Sequence, residues 1–285
     1  MTRRRRFIVA VGAAMIVGCA RNRVSASSTS DAHRIVSLAP STTESLFAIG
    51  AGDRVVGRSR YCNWPPEVAA LPAVGGLQPD VEAVLELRPD LVVGPSRGVS
   101  SRLSEQLGAR NIATWFPATE SLAAIDSMLV GLGQRSGHVA DASRLVAALD
   151  AREQAIERSV AASPRPRVLV VVGIAPVVVA GPKSYMDELL RYAGASNVIT
   201  QGTAWPTLGY EEIFELDPDV VLDVSVGPSG TTRVTADAAG WSGLRAVREG
   251  HVMAINDERI LRPGPRIADG LATLARLLHP AVALP

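Results

Sequence analysis

The chain has 285 residues, enough to bury one large core or two modest ones. Hydrophobic residues make up 47% and charged residues 20%, proportions that exclude a disordered, collagenous or coiled-coil protein. Formal charge is only +1, so no basic surface argues for nucleic acid.

The chain opens with a targeting segment. MTRRRR is a basic n-region, and FIVAVGAAMIV is an apolar h-region too short to span a bilayer as a mature helix. IVGC follows, with Gly18 directly before Cys19, and resembles a bacterial lipoprotein cleavage box. The expectation is a leader over 1–19, lipid on Cys19, and a body held at the periplasmic or cell-surface face of a membrane. An ordinary secretory leader that happens to contain a cysteine is the alternative, and RRRRFI leaves twin-arginine or general secretory export open. Residues 20–32, ARNRVSASSTSDA, read as a flexible tether reaching roughly 20 Å root-mean-square. The leader takes four of the 29 basic residues with it, leaving 25 against 28 acidic, a net charge of −3. Cys62 is then the one thiol left, so no internal disulfide is expected.

From His33 onward the elements follow one another regularly. IVSLAP reads as a strand, and Ser41 with Glu44 in STTE has capping-box spacing for the helix ESLFAIG, which Gly50 or Gly52 stops. RVVGRS is the next strand, and YCNWPP a loop, because consecutive prolines forbid regular structure. PDVEAVLEL (helix), DLVVG (strand), SSRLSEQLGA (helix), NIATWF (strand) and a helix over 121–132 come next. Residues 137–162 have no internal Gly or Pro and carry an amphipathic pattern, predicting one long helix of roughly 36 Å. Alternation resumes with RVLVVVG, SYMDELLRYAG, YEEIFEL, DVVLDVS, WSGLRAV, HVMAIN and PRIADGLATLARLLHP. This predicts an α/β protein of two lobes, 33–136 and 164–285, joined by a linking helix over 137–163.

Two phrases tie the lobes together. ELRPDLVV at 86–93 returns as ELDPDVVL at 215–222, an offset of 129 residues, too long for a solenoid repeat. In each lobe a helix turns through Pro-Asp into a buried strand: Pro ends the helix and Asp bridges the turn. The match extends to Glu82 and Glu211, which hold the same place at the helix start.

Aromatic residues are only 4% of the chain. Tyr61 and Trp64 flank Cys62 in a Pro-stopped loop, Trp115 ends a strand, and Trp205 sits in QGTAWPTLG; Trp241 starts a helix and reads as packing. Ligands of open α/β sheets bind where loops leave the carboxyl ends of strands, so aromatics gathered there would suit a large, flat, partly apolar ligand. Packing in the lobe cores is the plainer reading of any one of them.

RIVSLAPSTTESLFAIGAGDRVVGRSRYCNWPPEVAALPAVGG, DVEAVLELRPDLVV, WSGLRAVREGHVMAIND and PGPRIADGLATLARLLHP together resemble the periplasmic binding proteins for cobalamin, haem and ferric siderophores. RSRYCNWPPEVAALPAVGG, and AWP before a Glu-bearing helix, are most similar to the cobalamin-binding branch. The resemblance implies two three-layer α/β lobes on one rigid helix. It also implies a monomer that holds a corrinoid in its cleft without catalysing anything, and delivers it to the permease and ATPase of an ABC importer in the inner membrane. Carried onto this chain, the cleft walls are Tyr61, Trp64, Trp115 and Trp205. Arg262, with Glu258 one turn before it, hydrogen-bonds the ligand's amide or phosphate fringe, and Arg266 caps the final helix. Glu82 and Glu211 dock on permease arginines. Gly76, the lobe-one position matching Trp205, departs from symmetry and points to a wider or differently filled cleft.

Four other readings compete. Haem would need an axial ligand, with Tyr61 or Tyr210 available, and propionate partners, with Arg58 or Arg60 available. Zinc or manganese fits poorly, because His33, His138, His251 and His279 are dispersed. A hydrolase finds a G-x-S-x-G match around Ser96, with His251 or His279 and Asp219 or Asp223 to complete it, but no oxyanion segment precedes it. The run from Gly131 through Gly133 to Gly137 follows a helix where a dinucleotide fingerprint would follow a strand. Cys62 as a soft donor to a ligand's metal is weaker than Cys62 as inert packing.

Overall fold

The computed structural model describes residues 31–96, 101–226 and 231–285. Two α/β lobes flank one long helix. In lobe one, β1 (Ile35–Ser37), β2 (Val55–Arg58), β3 (Leu91–Val93) and β4 (Ala113–Trp115) form an all-parallel sheet in the order β2-β1-β3-β4. Helices α1 (Pro40–Ala48), α2 (Val81–Glu86) and α3 (Ser101–Gly108) make the crossovers that parallel strands require, and α4 (Leu122–Ser136) follows β4. Then comes α5 (Val139–Val160), 22 residues long, or about 33 Å. Gly137, at φ +73, ends α4 in the left-handed conformation that a Cβ disfavours, and so frees the chain to turn into α5.

Lobe two opens with β5 (Arg167–Ile174) and β6 (Val177–Val179), followed by α6 (Tyr185–Tyr192), β7 (Ser196–Asn197), α7 (Tyr210–Leu216) and β8 (Val220–Asp223). It closes with α8 (Arg245–Arg248), β9 (Val252–Ala254), α9 (Glu258–Leu261) and α10 (Ile267–Leu278). Strands β5, β8 and β9 run parallel; one edge of β5 is shared between β7, parallel, and β6, antiparallel.

The strands' two-residue period sorts side chains between cores. Ile35, Leu91 and Val93 face one core, while Val36 and Val92 face another with Val84, Leu103 and Leu107. In lobe two, Val168, Val170 and Leu222 face that same first core; Leu169, Val171 and Val221 face a third with Ile213 and Trp241. The first core runs unbroken from lobe one to lobe two through Leu149, Ile156 and Val160 of α5. Sliding the lobes would tear apolar contacts, which makes α5 a rigid strut.

Four local expectations differ from the structure. Ser41 and Glu44 do not cap α1: the helix begins at Pro40 after Ala39, and both residues are buried inside it. Proline has no amide to be capped and pre-sets the helical φ, so the start moves upstream. Helix α4 runs four residues past 132, and WSGLRAV yields only the short α8, with Trp241 buried before it against the edge of Tyr210. The chain also adds β6 and α9, which the hydrophobic pattern did not signal. Among the described residues no helix is long and apolar enough to cross a membrane. Cys19 and the leader lie outside them.

Candidate functional site

The repeated phrase builds the same joint twice. Asp90 accepts hydrogen bonds from the His33 and Arg34 amides at 2.8 and 3.1 Å, and Asp219 accepts one from the Arg167 amide at 2.9 Å. Arg34 donates to the carbonyls of Leu87 and Arg88, and Arg167 to those of Leu216 and Asp217. Arg88 and Asp217 both turn left-handed, at φ +46 and +37. Each aspartate therefore ties the start of the first strand to the helix–strand turn, as a structural clasp. Glu82 and Glu211 sit at the second helical position of α2 and α7, exposed, where the helix dipole favours a carboxylate. Neither forms an ion pair or side-chain hydrogen bond among the described residues. Their helix starts are otherwise satisfied, by Asp80 in lobe one and by Glu212, which accepts from the Gly209 amide, in lobe two.

A cavity of about 400 Å³ opens between the lobes. Lobe one contributes the turn after β1 (residues 38–41), Tyr61, Gly76, Leu77 and Pro79, and Pro95 just past β3. Lobe two contributes Leu261, Arg262 and Pro263. The lobe-one wall thus stands at carboxyl ends of parallel strands, where open α/β sheets place ligands. Leu77 is 81% exposed and Tyr61 45%, so an apolar and an aromatic side chain stand ready for a partly apolar guest.

Charged groups bridge the lobes beside this cavity. Glu44, whose side chain is only 2% exposed, accepts from Arg262 at 2.8 Å and from both Nε and an Nη of Arg266, at 2.8 and 2.9 Å. Arg262 also donates to Asn63 Oδ1 and to Glu258, and the Asn63 amide donates to Glu258 at 3.0 Å. Two guanidinium groups face two carboxylates, so the cluster is formally neutral, with its donors spent on one another. The Arg266 guanidinium stacks over the Trp64 ring at 4.9 Å.

The residues expected to wall the cleft are therefore dispersed. Tyr61 lines the cavity, and Arg262 lines it while bound to Glu44, Asn63 and Glu258. Trp64 lines a separate groove of about 330 Å³ with Glu44, Leu145 and Arg266. Trp115 faces the core side of its sheet: it lies against Gly131 of α4, with the Arg135 guanidinium 4.0 Å from its ring centre. That contact explains Gly131, where any side chain would collide with the indole. Trp205 is half-buried against Tyr185, edge to face at 5.9 Å, and Tyr185 donates to the carbonyl of Leu261 at 3.1 Å. It backs the lobe-two rim without lining the cavity. Arg266 stands at the N-cap position of α10, as expected, but without a side-chain capping hydrogen bond; its guanidinium instead pairs with Glu44 across the lobes.

Several groups that the competing readings would use are engaged elsewhere. Tyr210 packs on Trp241 and Gly240, away from the cavity lining. Arg58 is bound to the carbonyls of Val68, Ser59 and Ala69. Cys62 is buried beside Thr43 Oγ1 at 3.1 Å, and burial pushes its thiol pKa up, which holds it neutral. Asp219 and Asp223 spend their oxygens on Arg167 and Arg245, and on Ser225, Thr232 and Arg233, not on histidine. The G-x-S-x-G match runs into residues outside the described ones. Among the described residues no group of three or more His, Cys, Asp or Glu could hold a metal. Sequence reasoning missed Leu38, Leu77, Pro79 and Pro95, whose only signal was their place in Gly- and Pro-rich loops after strands.

Comparison with known proteins agrees with the architecture. The chain is 30% identical over 270 residues to a cobalamin-binding protein of Halobacterium salinarum, covering 88% of this chain and 70% of that one. It is 29% identical over 260 residues to an uncharacterised ABC transporter substrate-binding lipoprotein of Bacillus subtilis, covering 87% and 80%. A solved periplasmic haem-binding protein from Pseudomonas aeruginosa superposes with a TM-score of 0.74 at 28% identity, over 89% of this chain and 95% of that one. The periplasmic binding protein family model matches residues 35–258, and the chain belongs to that family: it is a substrate-binding protein of ABC transporters and not an enzyme.

Proposed function

We propose that this protein is a lipid-anchored carrier, tethered through Cys19, that captures a corrinoid in the interlobe cavity and presents it to an ABC importer. The observation that carries the reading is the cavity itself. It is apolar, lies between lobes that share one core, and is walled by the exposed Tyr61 and Leu77 on one side and Leu261 and Arg262 on the other. Relatives named for cobalamin and vitamin B12 binding support the ligand class. The exposed glutamates, Glu82 and Glu211, stand at matched places in the two lobes and suit a two-fold permease bearing arginines, one carboxylate to each half. Trp64, Trp205 and Glu258 act from behind the walls, Trp64 and Glu258 through Arg266 and Arg262, and Trp205 through Tyr185.

Haem is the second reading, and Tyr61 favours it: its phenol is solvent-accessible at the cavity, with the Arg60 guanidinium beside it at 3.3 Å. Titration of residues 20–285 with cyanocobalamin, and separately with hemin, decides between them. Saturable one-to-one quenching of tryptophan fluorescence by cyanocobalamin, matched by calorimetry, is the expected result. A shifted Soret band with hemin and no corrinoid heat would move the protein to haem.

A further inference from the structure

We infer that Arg60 is the residue that reads a negatively charged oxygen, a carboxylate or phosphate, on the periphery of the bound ligand; this rests on the carrier function proposed above. Arginines near the cavity differ in how far their donors are already used. Arg262 and Arg266 are bound to Glu44, and Arg58 to three backbone carbonyls. Arg60 makes no ion pair among the described residues; its side chain has one hydrogen bond, to Tyr61 Oη at 3.3 Å, and lies 5.2 Å from the Tyr61 ring centre. A guanidinium carries five N–H donors in a planar fork, so most of this one's capacity is unused.

Its position comes from the missing side chain at residue 76. A Cβ built there would lie 2.6 Å from Arg60 Nε and 2.7 Å from one of its terminal nitrogens, so glycine is what lets the guanidinium occupy that space. Gly76 and Tyr61, the two residues that flank it, both line the cavity. The asymmetry with Trp205 therefore replaces an aromatic with a cation: lobe one offers a charge where lobe two has an indole. Leu38, Leu77, Pro79 and Pro95 make the neighbouring wall apolar, and a charge pair formed against such a wall is screened less than one in open water. An arginine with no carboxylate partner on an open surface would carry no such meaning; this one borders an apolar cavity between lobes.

The test compares two ligand pairs that differ in peripheral charge: hemin with its dimethyl ester, and cyanocobalamin with its derivative in which one peripheral amide is hydrolysed to a carboxylate. Affinities are measured for the unmodified protein, Arg60→Gln, Arg60→Lys and the charge control Arg110→Gln. At least one pair should show about a tenfold preference for the more anionic member, as a charge-assisted hydrogen bond would give. The preference should fall to about one in Arg60→Gln, stay intermediate in Arg60→Lys, which keeps the charge and loses the fork, and persist in Arg110→Gln. Equal affinities within both pairs, or a preference that survives Arg60→Gln, would overturn the role of Arg60 and leave the carrier reading standing. Binding of none of the four ligands by the unmodified protein would overturn the ligand class and this inference with it.

Discussion

In lobe one, Asp90 holds the amides of His33 and Arg34 while Arg34 reaches back to the carbonyls of Leu87 and Arg88. In lobe two, Asp219 and Arg167 repeat the arrangement with Leu216 and Asp217, and Arg245 adds an ion pair to each aspartate of that turn. The loops that reach toward the other lobe share no such likeness. Lobe one presents Gly76 and Arg60 where lobe two tucks Trp205 against Tyr185. Duplicated hardware therefore marks the scaffold and the matched glutamates Glu82 and Glu211, whereas divergence falls in the loops around the interlobe cavity. Between them lies a third region without repeat, the charged junction of Glu44, Asn63, Glu258, Arg262 and Arg266.

The junction should be where a single change costs most. Glu44→Ala leaves two guanidinium groups without their buried carboxylate and should destabilise by about 3–5 kcal/mol, read by urea unfolding. A loss below about 1 kcal/mol would show that water replaces the carboxylate and that the lobes are not held there.

A second carboxylate set spans the lobes behind the cleft and has the opposite sign. Glu153 on α5 is 6% exposed and its carboxyl has no side-chain hydrogen bond among the described residues; burial, and then Asp126 of α4, Asp150 of α5 and Glu188 of α6, raise its pKa to about 7. Asp126 is raised to about 6 by burial, Asp150 and Glu188. A carboxyl raised in this way favours the folded state most below its unfolded pKa of 4.5, and the penalty grows as pH rises from there to about 7. Glu153→Gln should therefore stabilise the protein by about 2 kcal/mol at pH 8 and by almost nothing near pH 4.5. Melting curves across that range check it, and a constant offset would mean that packing, not charge, sets the effect.

The two clasps allow a paired comparison. Asp90→Asn and Asp219→Asn should each lose about 1 kcal/mol of hydrogen bonding, with Asp219→Asn the larger because its Arg245 pair goes too. Equal losses measured at low and high salt would show that the extra pair adds nothing. The smallest effect on stability belongs to Glu82→Ala and Glu211→Ala, within about 0.5 kcal/mol as exposed substitutions. Each should nevertheless weaken stimulation of the importer's ATPase, and the double change should abolish it; undiminished stimulation would remove these glutamates from the docking surface.

Much of the scaffold was legible in residue order. Strand–helix alternation, the proline-free run that became α5, and the 129-residue echo need only local periodicity and turn chemistry, which the chain expresses within a few residues. Glu44 shows where that reading stops. Its spacing from Ser41 suggested a cap, yet its partners lie 218 and 222 residues away, and no local pattern records them. Trp115 was judged by its place at the end of a strand, but pairing in register with Val93 turns its ring to the core face and onto Gly131. Arg60 looked interchangeable with Arg58, because adjacency in sequence does not say which guanidinium finds carbonyls.

By itself, then, the sequence determined the class of fold, the two-lobed plan and the repeated helix–Pro-Asp–strand phrase, since these follow from hydrophobic period and from residues within one turn of each other. The partners of Asp90 and Asp219, by contrast, lie 57 and 52 residues away. Only the tertiary structure decided which side chains meet across the lobes, which tryptophans are packing, and which arginine keeps its donors. Those outcomes depend on the direction in which each side chain leaves its element and on partners brought together by the closure of a common core.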